Sequence, residues 1–208
     1  LWIYFLKRVN YKLHFFLFVH LMVLQSLAFQ SYKVKIEMNF NLWLKITLLL
    51  CTFVAKQKIM TTLKIGDKAP NFSAKDNQGN TIQLSDYTGK KLVLFFYPKA
   101  STPGCTAEAC DLRDNYQTFL SKGYDVLGAS ADSAKRQQNW IDKHELPFPL
   151  LADEDKTVIN AFGVWGPKKF MGKKYDGIHR TTFVIDEKGV IEDVISKVKT
   201  KEHAAQIL

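Results

Sequence analysis

Cys105 and Cys110 are the residues of this chain best placed for chemistry, five positions apart behind Pro98-Lys99-Ala100-Ser101-Thr102-Pro103-Gly104. The apolar spacing after Gly104 is helical, so Cys105 falls at a helix start, where unpaired N–H groups and the helix dipole favour negative charge on sulfur. Gly104 lets the backbone approach a ligand with no Cβ in the way. Thr102, three residues before Cys105, brings a hydroxyl within reach of the sulfur or of an oxygen beside it. Pro98 and Pro103 stiffen the loop, and Pro98 is placed to shield the sulfur from water. An ionised sulfur, an aligned ligand and a stabilised leaving charge are what a thiolate needs to displace one oxygen of an O–O bond. That step leaves a sulfenic acid on Cys105, and attack by Cys110 then gives a disulfide before over-oxidation. A separate dithiol resets the pair.

The spacing carries a mechanical consequence. At about 100° per residue, Cys110 lies roughly 140° around the helix from Cys105, with Cα atoms about 8–9 Å apart. That exceeds disulfide reach, so closing the bond requires the first helical turns to unwind. Zinc would want more ligands at tighter spacing, and His144 and His179 each stand alone, so neither a metal nor another cofactor is expected. Two cysteines in a chain too large to depend on a disulfide framework read as redox chemistry in a reducing compartment.

Around this segment the chain alternates strand and helix from Lys64 onward. Lys91–Tyr97 is a continuous apolar run, as expected of a strand covered on both faces. The helix after Gly104 is expected to run to about Lys122, burying Ala109, Leu112, Tyr116 and Phe119–Leu120 and ending at Gly123. Tyr124–Ser130 reads as a second buried strand, and Asp132 or Ser133 as the cap of a helix reaching His144. A short strand within Pro147–Ala152 and a short helix over Lys156–Phe162 follow. Gly163–Gly177, rich in Gly and Lys, reads as a loop. His179–Asp186 and Val190–Lys197 flank Glu187-Lys188-Gly189 as a hairpin, and a last helix starts near Thr200. This order gives a three-layer α/β/α arrangement around a central mixed sheet, of the thioredoxin-like kind.

These strings resemble a known family. Pro98-x-x-x-Thr102-x-x-Cys105 is similar to the peroxiredoxin active-site pattern. The longer run Tyr97–Thr106, with Cys110 followed by Leu112-Arg113-Asp114, resembles the bacterioferritin-comigratory (PrxQ) subfamily. Gly66–Phe72, Phe162-Gly163-Val164-Trp165 and Tyr175–Arg180 resemble it too, so the likeness spans residues 62–208. It implies a thioredoxin-like fold, reduction of hydrogen peroxide and organic hydroperoxides, and thioredoxin as the reductant. It also implies that Cys105 is the peroxidatic cysteine, Cys110 the resolving one, Thr102 the hydroxyl partner and Arg180 the active-site arginine. Arg180 would hold the thiolate and balance charge on the peroxide oxygens; as a strand-end residue it is otherwise a solvated charge. Glu108 is a weaker supporting candidate, since an acid in a first helical turn suits the dipole regardless. Ser101 stands where many members carry a bulkier residue. The resemblance further implies a monomer, because the disulfide is intramolecular. A disulfide exchanger, which uses Cys-x-x-Cys, and a non-enzymatic thioredoxin-like module are the rival readings.

Residues 1–59 are a different kind of sequence. They hold eight Lys/Arg and one acid, Glu37, whereas residues 60–208 hold 21 Lys/Arg against 19 Asp/Glu, so +7 of the net +9 sits in this leader. The near-neutral remainder has no arginine cluster to suit nucleic acid. All 11 Gly and all six Pro lie after residue 59, as do two of the three cysteines, the leader holding Cys51. Its apolar stretches, Leu13–Phe29 and Leu42–Ala55, are interrupted by polar residues and give no clean spanning run. The preferred reading is upstream sequence translated in frame, with Met60 as the true start of a cytoplasmic domain over 60–208. The alternative is a signal or anchor that exports the protein or fixes it to a membrane.

Overall fold

The strand β3, Lys91–Phe96, shows most directly how the sequence builds the domain. Its side chains alternate between two cores, as strand geometry requires. Leu92, Leu94 and Phe96 join Leu127, Ala129, Phe162, Phe183 and Ile185 on one face. Val93 and Phe95, with Tyr97 beyond the strand end, join Cys105, Ala109, Leu112, Phe119, Trp140 and Leu150 on the other. Neither side chain set reaches water, which is why the run carries no polar residue after Lys91.

The computed structural model describes residues 63–208 apart from Met171. The leader, its Cys51 and the start at Met60 lie outside the described residues. A small hairpin of β1 (Ser73–Lys75) and β2 (Thr81–Gln83) precedes β3. After β3 come α1 (Pro103–Asp114), α2 (Tyr116–Ser121), β4 (Tyr124–Ser130), α3 (Ala134–His144), β5 (Leu150–Ala152) and α4 (Thr157–Ala161). A second hairpin, β6 (Trp165–Phe170) and β7 (Lys173–Ile178), leads into β8 (Thr181–Ile185), β9 (Ile191–Ile195) and α5 (His203–Ile207). The main sheet has five strands in the order β5-β4-β3-β8-β9. β4 runs parallel to β3 and β5, while β8 is antiparallel to β3 and β9, so the sheet is mixed. One face is covered by α1, α2, Trp140 of α3 and Ala204 of α5. The other is covered by Val158 and Ile159 of α4. This is the three-layer α/β/α, thioredoxin-like arrangement expected. Among the described residues no helix is long and apolar enough to cross a membrane.

Three expectations need correction. The long helix after Gly104 is two helices, because Asn115 leaves helical geometry at φ −103°, ψ 9°. Its side-chain amide donates to the Asp111 carbonyl at 2.9 Å, a local bond that competes with the helical ladder. Leu120 is 40 % exposed rather than buried. Gly163–Gly177 is not a loop: Trp165 pairs with Ile178 and the register runs on to Phe170 with Lys173. The hairpin turns at Gly172, whose φ of +79° few other residues accept. Its strands lie outside the main sheet, so they lack the apolar alternation by which strands are usually recognised.

Candidate active site

The sheet topology brings the candidate residues together at one end. Because β8 is antiparallel to β3, with Thr181 opposite Phe96, Arg180 at the entrance to β8 lies beside the exit of β3. The loop from Pro98 to Thr102 leaves that same exit and enters α1. Parallel β4 ends there too, contributing Ser130 and Asp132. Clefts at the carboxyl ends of strands are where α/β sheets collect functional groups.

Thr102 is the N-cap of α1, extended at φ −91°, ψ 151°, with Pro103 in the first turn. Its carbonyl accepts the Thr106 N–H at 2.8 Å, the first bond of the helix. Cys105 therefore sits in the first turn, 1 % exposed. The Arg180 guanidinium donates from Nη2 to Cys105 Sγ at 3.1 Å. Helix dipole and guanidinium both favour negative charge at that sulfur. The other arm of the guanidinium, Nη1, donates to Glu108 Oε2. Glu108 is 0 % exposed, and the Arg180 side chain 21 %. Glu108 thus does more than complement a dipole: it anchors the guanidinium that faces the sulfur.

The Thr102 hydroxyl donates to the Lys99 carbonyl at 2.9 Å rather than to the sulfur. Its proton is committed to the loop, which leaves the oxygen lone pairs as acceptors. Gly104 is exposed, and a Cβ built there would lie 3.6 Å from Arg180 Nη2, so the glycine keeps the approach to the guanidinium open. Pro98 is exposed. Cys110 is half-buried in the same unbroken α1, and both cysteines are free thiols.

Several residues at the site were not singled out from the sequence. The Ala100 N–H donates to Asp132 Oδ2 at 2.7 Å, and Arg136 donates to the Ala100 carbonyl at 3.0 Å. Asp132 and Arg136 pair with each other at 3.2 Å, so the loop is gripped on both sides of one residue. That grip supports Ser101 in the left-handed region at φ 63°, a conformation non-glycine residues adopt at a cost. Lys168, on the hairpin taken for a loop, donates to the Ile178 carbonyl at 2.9 Å. Burial pushes its ammonium below the ordinary lysine value, and the Cys105 sulfur opposes that shift. His203 of α5 lies 3.8 Å from Glu108 Oε1. Spacing gives no sign of these groups, because each arrives from a distant element.

A buried sulfur at a helix start, facing a guanidinium that a buried carboxylate anchors, on a thioredoxin-like sheet, defines a thiol-dependent redox enzyme. Residues 65–194 match the AhpC/TSA family. The chain is 49 % identical over 149 residues to the peroxiredoxin Bcp of Escherichia coli K12, covering 72 % of this chain and 96 % of that one. It is 47 % identical over 147 residues to the peroxiredoxin Bcp of Bacillus subtilis, covering 71 % and 94 %. Among solved structures, a mutant of Xylella fastidiosa PrxQ superposes with a TM-score of 0.67 at 32 % identity, over 71 % of this chain and 94 % of that one. A Xanthomonas campestris bacterioferritin comigratory protein, described for alkyl peroxide reduction, gives a TM-score of 0.64 at 34 % identity, over 70 % and 93 %. The chain belongs to the peroxiredoxins of the Bcp/PrxQ subfamily, and it is a thiol-dependent peroxidase acting on a peroxide with a thiol reductant.

Proposed function

We propose that Cys105 is the peroxidatic cysteine and Cys110 the resolving one, with Arg180 and Thr102 handling the peroxide. The observation that carries this reading is the 3.1 Å contact between Arg180 and the Cys105 sulfur at the start of the helix that also holds Cys110. A hydroperoxide enters beside Gly104. Its O–H donates to Thr102 Oγ1, whose own proton is held by Lys99. The thiolate attacks the hydroxyl-bearing oxygen; an S–O bond forms, the O–O bond breaks, and the departing alkoxide takes a proton from solvent. Arg180 faces both the sulfur and the oxygens on which charge builds, which is where preorganised donors act most. Cys110 then attacks the sulfenic sulfur, forming the S–S bond and expelling water once protonated. Both cysteines lie within α1, so this second step requires α1 to open.

The substrates in this reading are hydrogen peroxide and organic hydroperoxides, the latter in keeping with the Xanthomonas relative. Thioredoxin reduces the Cys105–Cys110 disulfide. The enzyme works as a monomer, since both cysteines belong to one helix, and in the cytoplasm, where dithiol reductants are maintained. Residues 60–208 form the catalytic unit. The test is peroxide-dependent NADPH oxidation in the presence of thioredoxin and thioredoxin reductase. Turnover that vanishes in Cys105→Ser supports the reading. Reduction of insulin without peroxide turnover would replace it with a disulfide exchanger, and neither activity would leave a non-enzymatic module.

A further inference from the structure

His203 is completely buried, at 0 % exposed, and none of the steps above uses it. It opens α5, and its Nε2 lies 2.8 Å from Thr182 Oγ1 and 3.8 Å from Glu108 Oε1. Its Nδ1 lies 3.3 Å from Gln206 Oε1. Gln206 settles which nitrogen carries the proton. Its amide nitrogen donates to the Lys197 carbonyl at 3.1 Å, and its Oε1 accepts the Lys199 N–H at 2.7 Å. An acceptor therefore faces Nδ1, so Nδ1 is protonated. In the neutral ring Nε2 is then an acceptor and takes the Thr182 hydroxyl proton. Glu108 Oε1 is buried without a hydrogen-bond donor.

We propose that His203 is a positioning residue for the reaction at Cys105: as a neutral ring it leaves the Glu108 carboxylate to Arg180, and as a cation it draws that carboxylate away. The inference rests on the roles given above to Cys105 and Arg180. With the ring neutral, Arg180 is the one cation paired with Glu108 among the described residues. Protonation makes Nε2 a donor to Thr182 Oγ1 at 2.8 Å and sets a positive charge 3.8 Å from Glu108 Oε1, which has no donor of its own. Two cations then share one carboxylate and repel each other, and Arg180 loses its fixed anchor above the sulfur. The charged groups around the ring are Glu108 and Asp111 of α1 and Arg180 ahead of β8; in the segment just before α5, Lys199 and Glu202 pair at the surface. Asp111 Oδ2 accepts the Ala204 N–H at 2.7 Å, which holds that carboxylate against α5, where its charge also favours the protonated ring. Burial holds the imidazole below its ordinary value of 6.5, against the Gln206 hydrogen bond and the Asp111 charge, while Arg180 pushes it further down. Arg180 is accordingly seated near neutrality and loosened as the solution turns acid.

The experiment uses the full chain carrying Cys110→Ser, which isolates the first step. The rate of Cys105 oxidation by hydrogen peroxide is measured from about pH 5 to 8, across the histidine range. The thiolate fraction is followed separately by its ultraviolet absorbance. The expected result is a rate per thiolate that falls roughly tenfold on the acid side, equivalent to the loss of one well-placed interaction. In His203→Gln, a neutral amide, that fall disappears. His203→Leu shows the same flat profile at a lower plateau; should it fail to fold, His203→Gln decides alone. A merely structural histidine would lower the melting temperature without changing the profile's shape. An acid limb that persists in His203→Gln, or is missing from the parent, overturns the inference while leaving Cys105 in its role. A parent whose Cys105 is not oxidised at all overturns both.

Discussion

Arg180→Met separates what the guanidinium does for the sulfur from what it does for the fold. The variant keeps most of the side-chain stem and removes every donor. At the sulfur, the loss is one N–H donated over 3.1 Å. A hydrogen bond to a charged group contributes about 1.5–3 kcal/mol. With each 1.4 kcal/mol worth about a factor of ten, Cys105 should be oxidised about 10- to 150-fold more slowly. The fold suffers separately, because Glu108, at 0 % exposed, is left as an unpaired buried charge. Breaking a buried pair costs about 3–5 kcal/mol, and the low end applies here because the Arg180 side chain is 21 % exposed and water can partly replace it. Adding Glu108→Leu removes the stranded charge, so Arg180→Met with Glu108→Leu should regain most of the stability and none of the rate. Stability is read from urea unfolding, and the rate from stopped-flow fluorescence on peroxide mixing. Trp140, whose indole N–H donates to Thr106 at 3.3 Å, is a reporter one position beyond Cys105. If the double variant recovers its rate together with its stability, the arginine acts only through the fold, and the reasoning about the sulfur is refuted.

Cys110→Ser should consume about one equivalent of peroxide in forming a sulfenic acid at Cys105 and about a second in carrying it to sulfinic acid, read by intact mass, and then stop; continued turnover on thioredoxin would remove Cys110 from the mechanism. Oxidation of the unmodified protein should raise amide exchange across Pro103–Asp114, and with it at α5, whose Ala204 N–H is held by Asp111 Oδ2 at 2.7 Å; unchanged protection in α1 would rule out the helical opening. Because His203 binds its proton more weakly folded than unfolded, its contribution to stability is complete above about pH 6.5 and is lost as pH falls below that value. The urea midpoint should therefore drop on the acid side in the parent more than in His203→Gln. Gly128→Ala should cost about 1–3 kcal/mol by thermal unfolding, since its Cβ would meet Leu150 Cδ2 at 2.5 Å and Phe95 Cζ at 2.8 Å, both side chains being fully buried.

What was legible in the sequence was whatever a short stretch of chain states by itself. The loop from Pro98 to Cys105 and the doubly buried strand expected over Lys91–Tyr97 follow from neighbouring residues, and the helix expected to open at Gly104–Cys105 begins one residue earlier, at Pro103 with Thr102 as its cap. The β6–β7 hairpin was missed because its strands lie outside the main sheet and carry no apolar rhythm. Arg180 came only from resemblance, since nothing in its own neighbourhood distinguishes a strand-end charge from a partner of a sulfur 75 residues earlier. The grip of Asp132 and Arg136 on Ala100 spans 32 and 36 residues, and His203 reaches Thr182 across 21. Such contacts depend on register: moving β8 by one residue along β3 would turn Arg180 and Thr182 to the opposite faces of the sheet. The proposed nucleophile is thus written locally, while the charges around its sulfur are set by the pairing of β3 with β8 and by the docking of α5 on α1. A substitution far from Cys105 in sequence, at Thr182 or Ala204, should for that reason disturb its reactivity more than one at the adjoining but exposed Lys99.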